Sequence, residues 1–173
     1  MKCVTNMLIL ITGVPGCGKT TVANEIARKS NLNFKVLNDK TYSASNHLGT
    51  YEEIDNSKEY VVSIRKLNIS ISNYLKKNKT KNIILEGHLW SELMKVVLKK
   101  MNFVLVLSVS KRTLRKRLYE RNYNVLKVEE NVVCQDSNYF ENLLKKSKID
   151  YKVIKLDSNL RLNYNKVNKF LKL

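Results

Sequence analysis

Acidic residues are the first shortage in this chain: 15 Asp and Glu stand against 32 Lys and Arg, for a formal net charge of +17. Such a surplus favours nucleic acid or another polyanion as a partner. The lysines are also spread along the whole chain among many Asn and Ile residues, so a chain-wide compositional bias accounts for the surplus equally well. Cysteine is scarce too. Cys3, Cys17 and Cys134 are odd in number, widely spaced and outside any C-x-x-C pair, which argues against a disulfide framework or a zinc site and fits a reducing cytoplasm. No apolar run approaches the length of a membrane span. Met1–Asn6 is too short and polar for a signal peptide, and reads as an ordered extension or, if translation begins at Met7, an artefact. There is no internal repeat and no low-complexity tract.

What is present suits one domain. The 173 residues, 43% hydrophobic and 27% charged, can bury a sizeable core, whereas two full domains would be a squeeze. The organising stretch is Gly13–Thr20, GVPGCGKT, which matches the phosphate-binding pattern G-x-x-x-x-G-K-[ST]. Gly13, Gly16 and Gly18 let the backbone turn its N–H groups toward phosphate oxygens. Lys19 adds a mobile charge for the β- and γ-phosphates, Thr20 offers a hydroxyl to Mg²⁺, and the helix that follows points its positive end at the anion. The context agrees, because a buried-strand run precedes the loop and TTVANEIARKS follows with helical spacing through Val22, Ile26 and Ala27.

Further along, strands are predicted at Met7–Thr12, Phe34–Asn38, Asn82–Leu85, Phe103–Val109 and Tyr151–Leu156. Helices are predicted at Thr21–Ser30, Ser63–Lys77, Leu89–Lys99, Lys111–Arg121 (capped by Ser110), Val128–Ser147 and Ser158–Leu173. Asp39–Tyr60 has no strong periodicity and reads as a mobile insertion within one core. The alternation implies α/β architecture with a parallel sheet covered on both faces, and ligands in such sheets bind at the carboxyl ends of the strands. The phosphate loop, Glu86–His88 and the segment after Val109 then share one edge.

Glu86, at the end of a strand, can hold Mg²⁺ directly or through water opposite Thr20; the plainer reading is a cap or a lysine partner. His88 can orient a water or a phosphate acceptor, or simply sit satisfied near the surface. His47 has no comparable context. Four of the seven arginines, Arg112, Arg115, Arg117 and Arg121, fall in one short helix, where Arg117 and Arg121 are i,i+4 neighbours. A guanidinium clamps the charge of phosphoryl transfer better than an ammonium does; the alternative is a solvated basic face.

The stretches LITGVPGCGKTT, LEGH and RLYERNYNVLKVEENV together resemble the adenylate kinase isoenzyme 6 family, small archaeal and eukaryotic nuclear proteins also known as ribosome-maturation ATPases. The resemblance runs over nearly the whole chain from Met7, and LEGH and the last segment are its specific parts. It implies a single P-loop NMP-kinase-like domain over residues 1–173, a three-layer α/β/α fold with a five-stranded parallel sheet, an NMP-binding insertion at 38–62 and a lid at 120–130. It implies transfer of the ATP γ-phosphate to AMP, with ATP hydrolysis and Mg²⁺, and binding of a small-subunit ribosomal protein near pre-ribosomal RNA. The candidate ATP-binding set is Gly13, Gly16, Cys17, Gly18, Lys19, Thr20, Thr21 and Arg121. Lys19, His88 and Arg121 are the catalytic candidates, and Thr20 and Glu86 the candidate metal ligands. A kinase of the same architecture acting on a small metabolite, or an assembly factor in which kinase activity is incidental, are the alternatives. Two departures stand out. Asn122 occupies the glycine of the family's R-G-Y, and Asp39–Val62 lacks the arginine that ordinarily anchors the AMP phosphate, so that Arg65, Lys58 or a lid arginine would substitute.

Overall fold

The computed structural model describes residues 6–54, 57–157 and 160–171. Cys3, most of the 1–6 extension and the ends of the last predicted helix lie outside the described residues. Five parallel strands form the core sheet: β1 (Leu8–Thr12), β2 (Phe34–Asn38), β5 (Asn82–Glu86), β6 (Phe103–Ser108) and β7 (Lys152–Lys155), in the order β2-β5-β1-β6-β7. The central β1 is buried at every position, as a strand covered on both faces must be. Its register sets Leu10 beside Leu85 on one side and Val104 on the other. Each predicted strand is present within a residue or so.

The helices cover the sheet: α1 (Lys19–Lys29), α3 (Ile64–Lys77), α5 (Lys111–Tyr119), α6 (Val125–Asp136), α7 (Tyr139–Lys146) and α8 (Leu160–Leu171). α1 packs on α8 and on the β2, β5 and β1 strands through Val22, Ala23 and Ile26. Ser110 caps α5 as expected, its side chain accepting from Thr113 N at 3.2 Å.

Three expectations are corrected. The segment read as aperiodic folds as helix α2 (Asp39–Ser45), capped by Asn38, followed by the antiparallel pair β3 (Gly49–Ile54) and β4 (Ser57–Val62). β3 is exposed after Gly49, so no alternation of burial is written into its sequence. The helix predicted over Leu89–Lys99 is broken into a 3₁₀ turn at Leu89–Glu92 and one turn of helix, α4 (Lys95–Leu98). The extended backbone at Leu93 and Met94 between them is held by the buried Asn68, which accepts Met94 N at 2.7 Å. The single helix predicted at Val128–Ser147 is two, α6 and α7, separated where Asn138 turns left-handed at φ 53°.

Candidate functional site

The phosphate loop joins β1 to α1 at the carboxyl edge of the sheet, and its glycines have the positive φ that the pattern requires: Gly13 138°, Gly16 85°, Gly18 106°. At Gly13 a second constraint applies, because a Cβ there would stand 2.4 Å from the Leu107 carbonyl oxygen of β6. The Lys19 ammonium donates to the carbonyls of Gly13 and Val14, each at 2.9 Å, and so lies along the loop. Cys17 stands in the loop with its side chain turned away from solvent. It is fully buried, its thiol is pushed up by that burial, and its N–H donates to Val14 O at 3.3 Å. The thiol lies against Gly13 within the loop, where a Cβ on that glycine would come 3.0 Å from its sulfur.

Glu86 ends β5 opposite Asn38 at the end of β2, and is 1% exposed. Its Oε1 accepts from Asn38 Nδ2 at 2.7 Å and from Thr20 Oγ1 at 3.2 Å. Its Oε2, also buried, has no hydrogen-bond partner among the described residues. An unsatisfied buried carboxylate oxygen is costly, and a divalent cation beside Thr20 would satisfy it. The residues present therefore fit Mg²⁺.

Asp39, which sequence reasoning passed over, is the second buried acid of this edge at 2% exposure. Its Oδ1 accepts Lys40 N and its Oδ2 accepts Leu89 N, both at 2.8 Å, tying the start of α2 to the loop after β5. His88 Nδ1 lies 3.5 Å from Oδ2. Gly87, at φ 147°, makes room: a Cβ there would fall 2.0 Å from Asp39 Cγ. Burial holds the His88 imidazole below its ordinary range; Asp39 opposes this, and Lys19 and Lys40 reinforce it. Trp90, fully buried, donates from Nε1 to Leu37 O and Glu86 O, both at 3.2 Å, and fixes the turn that carries His88.

The four arginines divide by role. Arg115 forks onto Glu129 with two contacts of 2.7 Å and joins α5 to α6. Arg117 donates from Nη1 to Gly16 O at 3.1 Å, a contact that sequence spacing gave no means to find. Arg112 is exposed. Arg121 lies beyond the end of α5, so it and Arg117 are not helical neighbours, yet both line one cavity. Asn122 takes φ 59°, a left-handed conformation that favours glycine and that Asn tolerates.

Three cavities meet around the loop. The first, about 280 Å³, lies between Gly18, Val22, Arg117, Leu156 and Tyr164. The second, about 180 Å³, holds Lys19, Thr20, Glu86, His88 and Arg121. Arg121, Gly16, Gly18 and Thr21 line both. The third, about 990 Å³, opens between the β3–β4 pair and α6 and is lined by Tyr51, Lys58, Tyr60, Glu92 and Lys127 among others. Lys58 is the one proposed arginine substitute that reaches this third cavity; Arg65 lines none of the three. His47 is exposed in the turn after α2 and lines none of them either.

The family model described as "AAA domain" matches residues 9–138, well over half of the chain. The chain belongs to this family of P-loop domains. Two archaeal relatives are each named "Putative adenylate kinase": that of Pyrococcus abyssi is 39% identical and that of Pyrococcus furiosus 36% identical, each over 129 residues. Both alignments cover 75% of this chain, and the chain spans 63% of the length of each relative. Among solved structures, shikimate kinase from Bacteroides thetaiotaomicron superposes with a TM-score of 0.57 at 16% identity, covering 96% of this chain and 99% of that one. At that identity it speaks for the fold alone, a P-loop α/β sheet flanked by helices.

The structure thus brings Gly13, Gly16, Gly18, Lys19, Thr20, Thr21, Glu86, His88 and Arg121 to one edge, and adds Asn38, Asp39, Lys40, Arg117 and Tyr123. A signal for Asp39 was available: like Glu86 it is an acid at the carboxyl end of an apolar strand.

Proposed function

We propose that the protein is a nucleoside monophosphate kinase that transfers the γ-phosphate of ATP to AMP, and that it hydrolyses ATP slowly when no acceptor is bound. The observation that carries this reading is the series of cavities. The phosphate cavity opens on one side to a cavity that shares Arg121 with it, and on the other to a larger one that shares His88. A hydrolase needs one nucleotide site; a kinase needs a donor and an acceptor meeting at the phosphates. The names of the archaeal relatives support the same reading.

In this reading the loop N–H groups and Lys19 bind the donor's phosphates, and Arg121 covers them from the segment 120–130, which serves as a lid. An oxygen of the acceptor phosphate attacks the γ-phosphorus as the bond to the β–γ bridging oxygen breaks. ADP leaves with that electron pair, and AMP becomes the second ADP. Arg117 steadies Gly16, and the 38–62 segment forms the acceptor side. Thr20 and Glu86 would hold Mg²⁺, which neutralises phosphate charge when bound. His88 orients the attacking oxygen, of water in hydrolysis and of the acceptor in transfer.

The net charge of +17 favours a second reading, an ATP-driven assembly factor that binds and releases a small-subunit ribosomal protein beside pre-ribosomal RNA. An acceptor screen with ATP separates the two. ADP formation that depends strongly on AMP supports the kinase; weak, AMP-independent turnover that rises with ribosomal protein or RNA supports the assembly factor.

A further inference from the structure

We infer that Lys40 is the cation that holds the acceptor's phosphate at the point of transfer, in place of the arginine missing from the 38–62 segment. The inference rests on the kinase reading and deepens it at one residue. Four residues line both the phosphate cavity and the large cavity beside it: Pro15, Lys40, His88 and Tyr123. An acceptor phosphate that is to meet the γ-phosphate must lie at this junction. Two anionic groups approach each other there, and a fixed positive charge between them lowers the cost. Of the four, Lys40 is the one that carries a fixed formal positive charge.

The other cations near the junction are engaged or displaced. Lys127 is ion-paired with Glu59. The Lys58 ammonium stands over the Tyr51 ring, 5.4 Å from its centroid. Lys19 donates to the loop carbonyls, and Arg121 lines the other side of the phosphate cavity. Lys40 makes no ion pair among the described residues, and its side chain is exposed to the cavities. Its placement is nevertheless firm. The buried Asp39 accepts Lys40 N with one oxygen and Leu89 N with the other, so the backbone at Lys40 is fixed relative to the loop carrying His88. Asp39 takes backbone donors on both oxygens and stands 3.5 Å from His88 Nδ1, and no ion pair joins it to the Lys40 ammonium among the described residues. A lysine is a point charge without the planar fork of arginine, so it selects for the acceptor's charge more than for the arrangement of its oxygens.

The test is equilibrium binding to the full chain, with Mg²⁺ and a non-hydrolysable ATP analogue present. AMP and adenosine are titrated against wild type, Lys40→Met, Lys40→Arg and Lys58→Met. Losing a charge-assisted hydrogen bond is expected to weaken AMP binding about 10- to 100-fold in Lys40→Met. Lys40→Arg should restore most of the affinity, Lys58→Met should cost less than Lys40→Met, and adenosine, which lacks the phosphate, should bind wild type and Lys40→Met alike. Matching thermal unfolding curves check that the exposed substitution leaves the fold intact. AMP binding as tight in Lys40→Met as in wild type overturns the inference while leaving the kinase reading standing. So does an equal loss for AMP and adenosine. If wild type binds no nucleoside monophosphate at all, the kinase reading fails and takes the inference with it.

Discussion

On the phosphate side of the site two acids, Glu86 and Asp39, are buried, and each takes hydrogen bonds from more than one segment of the chain. Glu86 on β5 takes hydrogen bonds from Thr20 on α1 and Asn38 on β2, and Asp39 ties α2 to the loop after β5. Three glycines there have backbone geometry closed to other residues. On the side of the large cavity the wall is a two-stranded ribbon whose Tyr51 is 65% exposed, and a helix joined to it by the ion pair of Lys127 and Glu59. The first region holds one geometry because a buried polar atom without its partner is costly. The second meets α6 through an ion pair whose side chains are both exposed, and such a pair breaks at little cost.

Lys19→Met breaks the comparison hardest. It removes the charge facing the β- and γ-phosphates and leaves the buried frame untouched. Turnover with and without AMP should fall by at least about 10²–10³, with the circular dichroism spectrum and melting temperature preserved. Near-normal rates in a folded variant would remove the phosphate loop from the chemistry.

Glu86→Gln comes next. The amide keeps an acceptor for Thr20 and Asn38 but loses the carboxylate charge, so the Mg²⁺ concentration for half-maximal activity should rise by about tenfold or more. ATP binding should persist in part. An unchanged Mg²⁺ titration would assign Glu86 a purely structural place.

Arg121 and His88 sharpen the comparison from its two borders. Arg121 lines the phosphate cavity and the cavity beyond Gly18, so Arg121→Ala should lower AMP-dependent and AMP-independent turnover together. His88 borders the large cavity, so His88→Ala should reduce hydrolysis more than AMP phosphorylation, because a bound phosphate is already a well-placed acceptor. A group that moves or orients a proton typically contributes about 10²–10⁴ in rate, well within reach of measurement. Equal losses in both reactions would make His88 a support of the site.

The same division explains what could be read without coordinates. The sheet was legible because each core strand is a short apolar run, and the loop between β1 and α1 because its glycines, Lys19 and Thr20 lie within one local stretch. Glu86 and His88 were legible from their place after a strand. The ribbon β3–β4 was not, since it exposes residues on both faces and so lacks the alternation that reveals a strand. Arg117 meets Gly16, about a hundred residues back along the chain, and spacing carries no trace of that contact. The breaks at Leu93–Met94 and Asn138 were hidden for a related reason. A buried Asn68 and a left-handed Asn138 override helical periodicity that continues on either side.

The smallest expected effect lies where the two regions are coupled. α5 carries Arg117, which contacts the phosphate loop, and α6 carries Lys127, which reaches Glu59 on β4. Arg115 on α5 and Glu129 on α6 join these helices. The Arg115 hydrogen bonds, and then its charge, hold the Glu129 carboxyl below its ordinary value of 4.5. A carboxyl depressed in the folded state stabilises it at all pH above the ordinary value, and that contribution is lost as pH falls through the lower folded-state value. Both side chains are substantially exposed, 40% and 44%, so solvent and salt screen the pair. Glu129→Gln should therefore lower the melting temperature only slightly at neutral pH. The difference from wild type should shrink in about 1 M salt and fade as the pH drops below about 4.5, where the wild-type carboxyl also loses its charge. A difference that persists undiminished in acid would mean the substitution acts instead through the packing of Val128 and Val132, the buried residues of α6 on either side of Glu129.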